Sequence, residues 1–378
     1  MSEKKLLPRV LYISLGRQYR KADEAFSVTA PLRKKVFKKI GLKPETLCFV
    51  SGRGNFIPAF LKALKLIREK KITILYITVS GGSILEKFSL LKLFYPKLFL
   101  IWEIHGQVEE FLWIDKSLRM KLAVARRNLK RRLLAMMVDG SICLDRQLKN
   151  YAGNRLKIRK NLVIPSFLDD RLITKVLESR IPADVISKLL LDEDVFKVFW
   201  GGGAGFPWQA IDLIEKVAKK IYLIDKEVAF FIIGSNKWHS FSFFKNILLI
   251  DSLPQPVFWR FLKMSDVCLA LYHQKRDKVN SIPPFHFSPL KLIEYMALAK
   301  PVIATKLGQI KQLVKDAETG FLTDNSVDDI VDKILLLKSN PAFAVGMGKR
   351  ARAEILKKNS LKQAVLKYEV VFKNFGLL

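Results

Sequence analysis

Apolar and polar positions alternate between two periods along this chain. Short apolar runs, typical of buried strands, are followed by stretches with apolar residues three or four apart, typical of helices. In the first half the strand pattern falls at 9–15, 47–51, 72–79, 98–104, 138–144 and 162–165, and the helix pattern at 31–40, 56–70 and 117–137. This alternation predicts an α/β fold with a parallel, doubly wound sheet, whose ligands bind beyond the carboxyl ends of the strands.

The second half repeats the alternation. Strands are predicted at 195–200, 228–234, 246–250, 266–272 and 302–304, and helices at 288–300, 327–337, 341–358 and 361–375. A length of 378 residues suggests two domains of ordinary size. We predict a first domain over 1–165, a linker over 166–194 and a second domain over 195–360.

The stretch from Phe285 to Thr305 carries the most specific chemistry. Ser288 and Pro289 form a helix start, with a hydroxyl N-cap before a proline at the first helical position, and Lys300-Pro301 is expected to end the helix. Open amides and Lys291 in the first turn make an anion site, and Glu294 one turn later can accept hydrogen bonds from sugar hydroxyls. On spacing alone, an ordinary helix with a surface Lys and Glu explains the same pattern.

The exact order of residue types in this stretch is more informative than the spacing of its apolar positions. Ser-Pro-Leu-Lys-Leu-Ile-Glu-Tyr-Met-Ala at 288–297, Lys-Pro-Val-Ile-Ala-Thr at 300–305, then Gly308 and the segment 316–322, resembles the donor-binding signature of glycosyltransferase family 4. These retaining enzymes, also called group 1 glycosyl transferases, have GT-B architecture. The resemblance implies two Rossmann-like, doubly wound parallel-sheet domains facing a cleft. It further implies that the final helix, 361–378, packs back on the first domain.

The same resemblance assigns a nucleotide-sugar to the second domain. Lys291, with the amides around Ser288, Pro289 and Leu290, would hold the donor diphosphate, and Glu294 the ribose hydroxyls. The Gly-rich loop after the strand 195–200, including Gly203 and Gly205, suits phosphate approach, although no Gly-Lys-Ser/Thr of a P-loop follows.

The chain departs from the family pattern at three places in this region. Gln209 stands where the family's loop carries Lys, Gly203 or a neighbour stands near its Arg, and His286 replaces the first of two glutamates. The first two changes remove two positive charges from the expected diphosphate site.

Strand ends mark the acceptor side in the first domain. Gly16 follows the first strand, and His105-Gly106 follow the strand 98–104. A lone His is more often structural, but the resemblance places a His here, near the transferred sugar. We therefore predict Gly16, His105 and Gly106 on the acceptor side, with catalytic roles for His105, Lys291 and Glu294. No metal site is visible in the sequence and no cofactor is expected.

The net charge of +31 is uneven along the chain. Residues 1–165 hold about 35 Lys and Arg against about 12 Asp and Glu, so about +23 lies in the first domain. Anionic lipid, nucleic acid and phosphorylated substrates are candidate partners, and solvated basic faces are the simpler alternative.

The helix at 117–137 combines an apolar stripe with cations. Leu118, Leu122, Ala125, Leu129, Leu133 and Met136 share one face. We expect Leu122, Leu129 and Leu133 to pack in the core, with the basic face touching a membrane by charge rather than by insertion. The predicted membrane patch comprises Arg33, Lys34, Lys38, Arg126, Arg127, Lys130 and Arg131.

Several classes are disfavoured by the rest of the sequence. No apolar run reaches the roughly 18 residues of a membrane helix, and Pro8 and Arg9 interrupt any signal-peptide pattern. Cys48, Cys143 and Cys268 are scattered, which fits a reducing cytoplasm. We therefore expect a cytoplasmic protein, peripheral on the inner face of the membrane.

The function predicted from the sequence is sugar transfer from a nucleotide-sugar, with retained configuration, to a lipid-linked or cell-surface glycan precursor. The resemblance carries this prediction. A GT-B binding or regulatory protein without transfer activity is the main alternative, since two expected cations and one acid are missing. A nucleic-acid binder is a weaker alternative, because the chain has no recognised module for it.

Overall fold

The computed structural model describes residues 7–15, 29–49, 55–81, 84–178, 195–203, 208–234, 245–273 and 289–378. These fall into two compact units. The first holds the described residues up to Ser166 together with Leu361–Leu378, and the second holds those from Phe167 to 273 and Pro289–Ser360. Of the predicted site residues, Gly16, Gly205, His286 and Ser288 lie outside the described residues.

The first unit is built on a parallel sheet. Its strands run in the order β2-β1-β3-β4-β5-β6. They are β1 (Arg9–Leu15), β2 (Lys43–Phe49), β3 (Ile74–Val79), β4 (Phe99–Ile104), β5 (Gly140–Cys143) and β6 (Asn161–Val163). Because β1 pairs with both β2 and β3, the chain reverses its direction of travel across the sheet between β1 and β3. Such a switch point is where doubly wound sheets bind ligands.

Helices cover this sheet. They are α1 (Thr29–Lys39), α2 (Phe56–Glu69), α3 (Leu91–Phe94), α4 (Leu118–Ala135) and α5 (Arg146–Asn154), with 3-10 helices at Ile84–Leu90 and Val108–Trp113. The central strands β1, β3 and β4 are buried on both faces, as is typical of parallel strands between helices, and Trp102 and Tyr76 are fully buried in them. The last helix of the chain, Leu361–Asn374, belongs to this unit, where the hydroxyls of Tyr368 and Tyr76 lie 3.0 Å apart.

The second unit has a parallel sheet of its own. The strand order is β12-β11-β10-β7-β8-β9. The strands are β7 (Phe196–Gly202), β8 (Val228–Gly234), β9 (Ile247–Asp251), β10 (Val267–Ala270), β11 (Val302–Thr305) and β12 (Phe321–Thr323). The helices of this unit are α6 (Asp170–Glu178), α7 (Ile211–Ile224), α8 (Gln255–Met264), α9 (Leu290–Ala297), α10 (Ile310–Leu313), α11 (Val327–Ser339) and α12 (Pro341–Asn359). The last helix, α13 (Leu361–Asn374), belongs to the first unit. The switch point lies between β7 and β10.

Part of the segment predicted as a linker belongs to the second unit. Within 166–194, the helix α6 is grouped with that unit. Arg352 on α12 fixes it by donating a 3.0 Å hydrogen bond to Thr174 Oγ1, and the Arg352 guanidinium also reaches the carbonyl of Ala297 at 2.6 Å.

The ends of α9 differ from the prediction by one turn at most. The helix begins after Pro289, whose position is the N-cap, and ends at Ala297 rather than at Lys300. The amide of Lys300 donates to the carbonyl of Tyr295, and that of Ala299 to Met296, with Ala299 at φ +57°. These are the hydrogen bonds of a Schellman motif, in which the left-handed Ala299 ends the helix ahead of Pro301. The prediction that Lys300-Pro301 ends the helix was therefore wrong.

The apolar stripe of α4 is exposed, so its predicted burial was wrong. Leu118, Leu122, Leu129, Leu133 and Met136 are between 56% and 80% exposed. The opposite face is the buried one. It carries Val124, Arg131, Leu134 and Ala135, and Val124 packs with Val108 and Leu112 of the preceding 3-10 helix. The periodicity of the longer leucine stripe hid this second face, because its largest buried member is a charged residue.

Within the part of the chain that the structure describes, no helix is both long enough and apolar enough to cross a bilayer.

Candidate functional site

Lys291 lies at the switch point of the second unit. Its ammonium donates a 2.7 Å hydrogen bond to Gln209 Oε1, and it lies 4.3 Å from the ring centre of Trp200 and 5.3 Å from that of Tyr272. Trp200 is in β7 and Tyr272 follows β10, so aromatic rings from the two switch-point strands flank one cation. Such contacts hold an ammonium without neutralising it.

The electrostatics of Lys291 favour an anionic ligand. Loss of hydration among the aromatic rings lowers the pKa of Lys291 to about 7, and the nearby Glu294 opposes that shift. A group with this pKa gains a full positive charge when a bound diphosphate comes close, because an opposite charge favours the protonated form.

Residues 208–210, directly before α7, are hydrogen-bonded to the residues that follow β10. Gln209 pairs with Tyr272 in an isolated antiparallel bridge, the amide of Ala210 donates to Leu271, and the amide of His273 donates to Trp208. Gln209 is thereby fixed as the acceptor for Lys291. A neutral amide thus stands where the family resemblance expects a second cation.

Glycines at the end of β7 leave room for these side chains. A Cβ at Gly202 would lie 2.8 Å from the Lys291 ammonium, and one at Gly201 would lie 2.3 Å from the ring of Phe258. The amide of Gly201 donates to the hydroxyl of Tyr295, which joins β7 to α9. Gly203, predicted to approach the donor, follows directly in the chain.

Glu294 is held from α8. Its Oε1 accepts hydrogen bonds from Gln255 Nε2 at 2.9 Å and from Trp259 Nε1 at 3.1 Å. Burial raises the pKa of Glu294 to about 7, although these two bonds and Lys291 act in the other direction. One carboxylate oxygen therefore has a structural task, and the predicted contact with ribose hydroxyls stays a prediction for the group.

His105 lies at the end of β4 in the first unit, beside a buried carboxylate. Its Nε2 is 3.2 Å from Oε1 of Glu103, a residue with no exposed surface. Arg33 Nε donates to both oxygens of Glu103, at 2.9 and 3.0 Å. Burial would raise the pKa of Glu103, but Arg33, with help from His105, holds that pKa well below its usual range.

Two members of the predicted membrane patch are buried and belong to ion pairs. Arg33 is paired with Glu103, and Arg131 lies 3.1 Å from Glu86 and donates a 3.0 Å hydrogen bond to the carbonyl of Gly106. Neither guanidinium can reach a surface, so placing them in the patch was wrong. The remaining members, Lys34, Lys38, Arg126, Arg127 and Lys130, are exposed.

The structure shows why residue 106 must be glycine, which the sequence alone did not reveal. A Cβ there would lie 2.3 Å from Glu110 Oε1, which accepts a 2.6 Å hydrogen bond from the amide of Gln107. The turn after β4 therefore needs glycine to admit Glu110. Its place on the acceptor side stays a prediction.

A cavity of about 270 Å³ lies beyond the carboxyl end of β3. It is lined by Gly81, Ile84, Glu86, Lys87, Val108, Arg127, Lys130 and Leu134. The sequence reasoning missed Lys87 and Glu86 here. It also missed Trp200 and Tyr272 in the second unit, although both stand near ends of predicted strands, where the strand-end rule applies.

Fold and site together define a two-domain, doubly wound α/β protein of the GT-B class. Residues 201–354 match the family model described as glycosyl transferases group 1. This part of the chain is therefore similar to the group 1 glycosyl transferases, as the signature around Lys291 indicated.

Curated relatives match parts of the chain. A poly(ribitol-phosphate) alpha-N-acetylglucosaminyltransferase of Staphylococcus aureus is 28% identical over 174 residues, which is 44% of this chain and 34% of that protein. An uncharacterised glycosyltransferase of Methanocaldococcus jannaschii is 24% identical over 243 residues, which is 63% of this chain and 60% of the other. The chain thus spans about a third of the first relative's length and three-fifths of the second's.

Solved structures match the fold over nearly the whole chain. Sucrose-phosphate synthase of Thermosynechococcus elongatus superposes with a TM-score of 0.65 at 15% identity, covering 98% of this chain and 99% of the other. Anabaena HepE in complex with UDP-glucose gives a TM-score of 0.68 at 13% identity, covering 98% and 100%. At these identities the likeness concerns the fold.

Proposed function

We propose that this protein transfers a sugar, with retained configuration, from a nucleotide-sugar to a lipid-linked or cell-surface glycan precursor at the cytoplasmic face of the membrane. The observation that carries the donor half is Lys291, set between Trp200 and Tyr272 at the switch point of the second unit. A partly dehydrated cation at the amino end of a helix suits a diphosphate.

Lys291 would contribute most as the bond between sugar and diphosphate breaks. Negative charge then grows on the leaving diphosphate, and a cation held in place beforehand stabilises that charge without reorganising. The amides at Leu290 and Lys291 would add donors from the start of α9. Glu294 would bind ribose hydroxyls through the carboxylate that Gln255 and Trp259 orient. No metal is expected, and this stays a prediction.

The acceptor half of the proposal concerns the first unit. His105 would act on the acceptor side, oriented by the Arg33–Glu103 pair. A glycan acceptor is supported by the name of the Staphylococcus aureus relative, which acts on poly(ribitol phosphate). A nucleotide-sugar donor is supported by HepE, which is seen with UDP-glucose.

Thermal unfolding with a panel of nucleotides and nucleotide-sugars tests the donor. The correct donor should raise the melting temperature, because a ligand that binds only the folded state stabilises it by mass action. NMR of the product's anomeric proton then reports retention or inversion. Binding without transfer or hydrolysis would mark a nucleotide-sugar binding protein, and an unchanged melting temperature across the panel would contradict the proposal.

A further inference from the structure

The helix α4 and its C-cap residue present an exposed apolar face, which we call the leucine face: Leu118, Leu122, Leu129, Leu133 and Met136. These five side chains are more than half exposed, and they follow one another along the whole helix. Scattered exposed leucines need no explanation, but a contiguous apolar row on a surface helix marks a place of interaction.

Cations border the leucine face on both sides. At about 3.6 residues per turn, Arg119, Arg126 and Lys130 follow one edge, and Lys121 and Arg132 follow the other. All five are exposed, and α4 contains no Asp or Glu. Apolar residues between two basic edges are the arrangement of helices that lie in the interface of an anionic bilayer.

The opposite face of α4 is fixed, so the leucine face cannot turn inward. Arg131 is fully buried, lies 3.1 Å from Glu86 and donates to the carbonyl of Gly106. Asn128 also donates a 2.9 Å hydrogen bond to Glu109. Rotating the helix to bury the leucines would separate Arg131 from Glu86 and leave a buried charge unpaired, which is strongly unfavourable.

A basic cavity adjoins one edge of the leucine face. Arg127 and Lys130 of α4, with Lys87, line its space of about 270 Å³ beyond the end of β3. Glu86 lines the cavity as well, and its carboxylate lies 3.1 Å from Arg131. Burial and the neighbouring Lys87 lower the pKa of Lys130, while Glu86 acts in the other direction. A phosphate group would relieve the repulsion between Lys87, Arg127 and Lys130.

We propose that α4 docks this protein on an anionic bilayer, with the leucine face among the acyl chains, the basic edges at the headgroups and a headgroup phosphate in the cavity. A second copy of the chain is a poorer occupant, because two acid-free helices would meet with like charges. The proposal rests on the proposed function only in naming a membrane as the place of the acceptor. The sequence analysis expected α4 to touch the membrane by charge alone, whereas this proposal inserts the leucine face into the bilayer.

Cosedimentation with vesicles of phosphatidylcholine and phosphatidylglycerol tests the docking. Binding should rise with phosphatidylglycerol and should persist in part at about 1 M salt, where the Debye length is only about 3 Å. The variant with Leu122, Leu129 and Leu133 each changed to Ser should lose roughly a hundredfold in vesicle affinity, or about 2.8 kcal/mol at about 1.4 kcal/mol per tenfold change.

The matched control changes Leu223, Ile224 and Val345 to Ser, since these are comparably exposed but lie in the second unit. It should bind vesicles like the unchanged protein. Both variants should keep their thermal shift with the donor nucleotide, so a failure of docking is separable from a failure of the proposed function. If the triple leucine variant does not fold, Leu129→Ser alone serves.

A polarity-sensitive fluorophore then reports insertion directly. With Cys48 changed to Ser, a label on Leu129→Cys should shift to the blue with anionic vesicles, and a label on Leu223→Cys should not. Absence of vesicle binding at low salt overturns the proposal. So does binding that ignores the leucine changes and disappears in high salt, and so does self-association through the leucine face without vesicle binding.

Discussion

The ammonium of Lys291 donates a 2.7 Å hydrogen bond to the side-chain oxygen of Gln209. The residue that the family resemblance expects at Gln209 is a second cation. Here a neutral acceptor holds the one cation in place between Trp200 and Tyr272. Of the side chains described around this switch point, Lys291 is therefore expected to carry most of the binding energy for the diphosphate.

Lys291→Ala should weaken binding of a nucleoside diphosphate about tenfold to a hundredfold, since a hydrogen bond to a charged group is worth about 1.5–3 kcal/mol. Binding of the nucleoside alone should change little. Isothermal titration with both ligands measures the difference. Lys300→Ala is the control, because Lys300 follows the same helix and donates to the carbonyl of Ser265. Equal losses for both ligands would show that Lys291 acts by supporting the helix.

The diphosphate affinity should depend on pH in a direction set by Lys291. Its pKa is about 7 in the free protein, and a bound diphosphate raises it. The affinity should therefore be greatest below pH 7 and fall as the pH rises through 7, with a proton taken up on binding. Titrations in buffers of different ionisation enthalpy measure that proton. The Glu294→Gln variant should keep this dependence, and a dependence that vanishes with Glu294 would assign the proton to the carboxylate.

Glu294→Gln should stabilise the fold while reducing transfer. Burial raises the pKa of Glu294 to about 7, so its ionised form is unfavourable in the folded state. A carboxyl group whose pKa is higher in the folded state stabilises the fold fully at a pH below its unfolded-state pKa. This stability is lost as the pH rises through the folded-state pKa of about 7. Glutamine keeps an acceptor for Gln255 and Trp259 without the charge, and the gain at pH 8 should be on the order of 1–3 kcal/mol. Chemical denaturation at pH 5 and 8 measures it.

The control for this prediction is Glu294→Ala, which removes the acceptor as well and should destabilise the fold. Transfer should fall in both variants. Full activity in Glu294→Gln would remove the carboxylate from the donor site, and unchanged stability at pH 8 would show that its charge is well solvated.

Sequence reasoning succeeded where one signal dominated. The strand β8 was predicted at its observed bounds, Val228–Gly234, because a continuous apolar run between turn residues has few alternatives. The two-unit GT-B fold and the placement of Lys291 at the start of α9 followed from alternation and from a specific signature. Neither needed information about distant contacts.

It failed where a charged residue is buried. Arg33 and Arg131 were assigned to a surface because cations are rarely buried, and only the fold brings Glu103 to Arg33, 70 positions away. The same error reversed the predicted buried and exposed faces of α4. A face containing Arg131 was treated as solvent and the leucine face as core, and no periodicity can reveal that Glu86 pairs with Arg131.

Arg33→Met should destabilise the protein by about 3–5 kcal/mol, because it leaves the buried carboxylate of Glu103 without its cation. Denaturant unfolding at pH 7 measures this loss. Lys34→Met is the matched control, since Lys34 is the next residue and is exposed, so it should change stability little. The lowered pKa of Glu103 gives stability that is present at neutral pH and lost on acidification, and Arg33→Met should remove part of that acid sensitivity. If both variants changed the free energy of unfolding equally and only slightly, Arg33 would be exposed and not paired with Glu103 in the core.

Gly348→Ala should destabilise the second unit by about 1–3 kcal/mol, the usual range for overpacking. A Cβ at Gly348 on α12 would lie 2.0 Å from the carbonyl oxygen of Ala299, directly after α9, and backbone there cannot yield as a side chain would. Gly346→Ala on the same helix is the control. Its Cβ would meet only the flexible end of Arg350 at 3.3 Å, so the better helix propensity of Ala should stabilise by about 0.5–1 kcal/mol. Thermal unfolding of both variants gives opposite signs if α12 is seated against the end of α9. Because that contact also supports the helix carrying Lys291, Gly348→Ala should weaken nucleoside diphosphate binding, and Gly346→Ala should leave it unchanged.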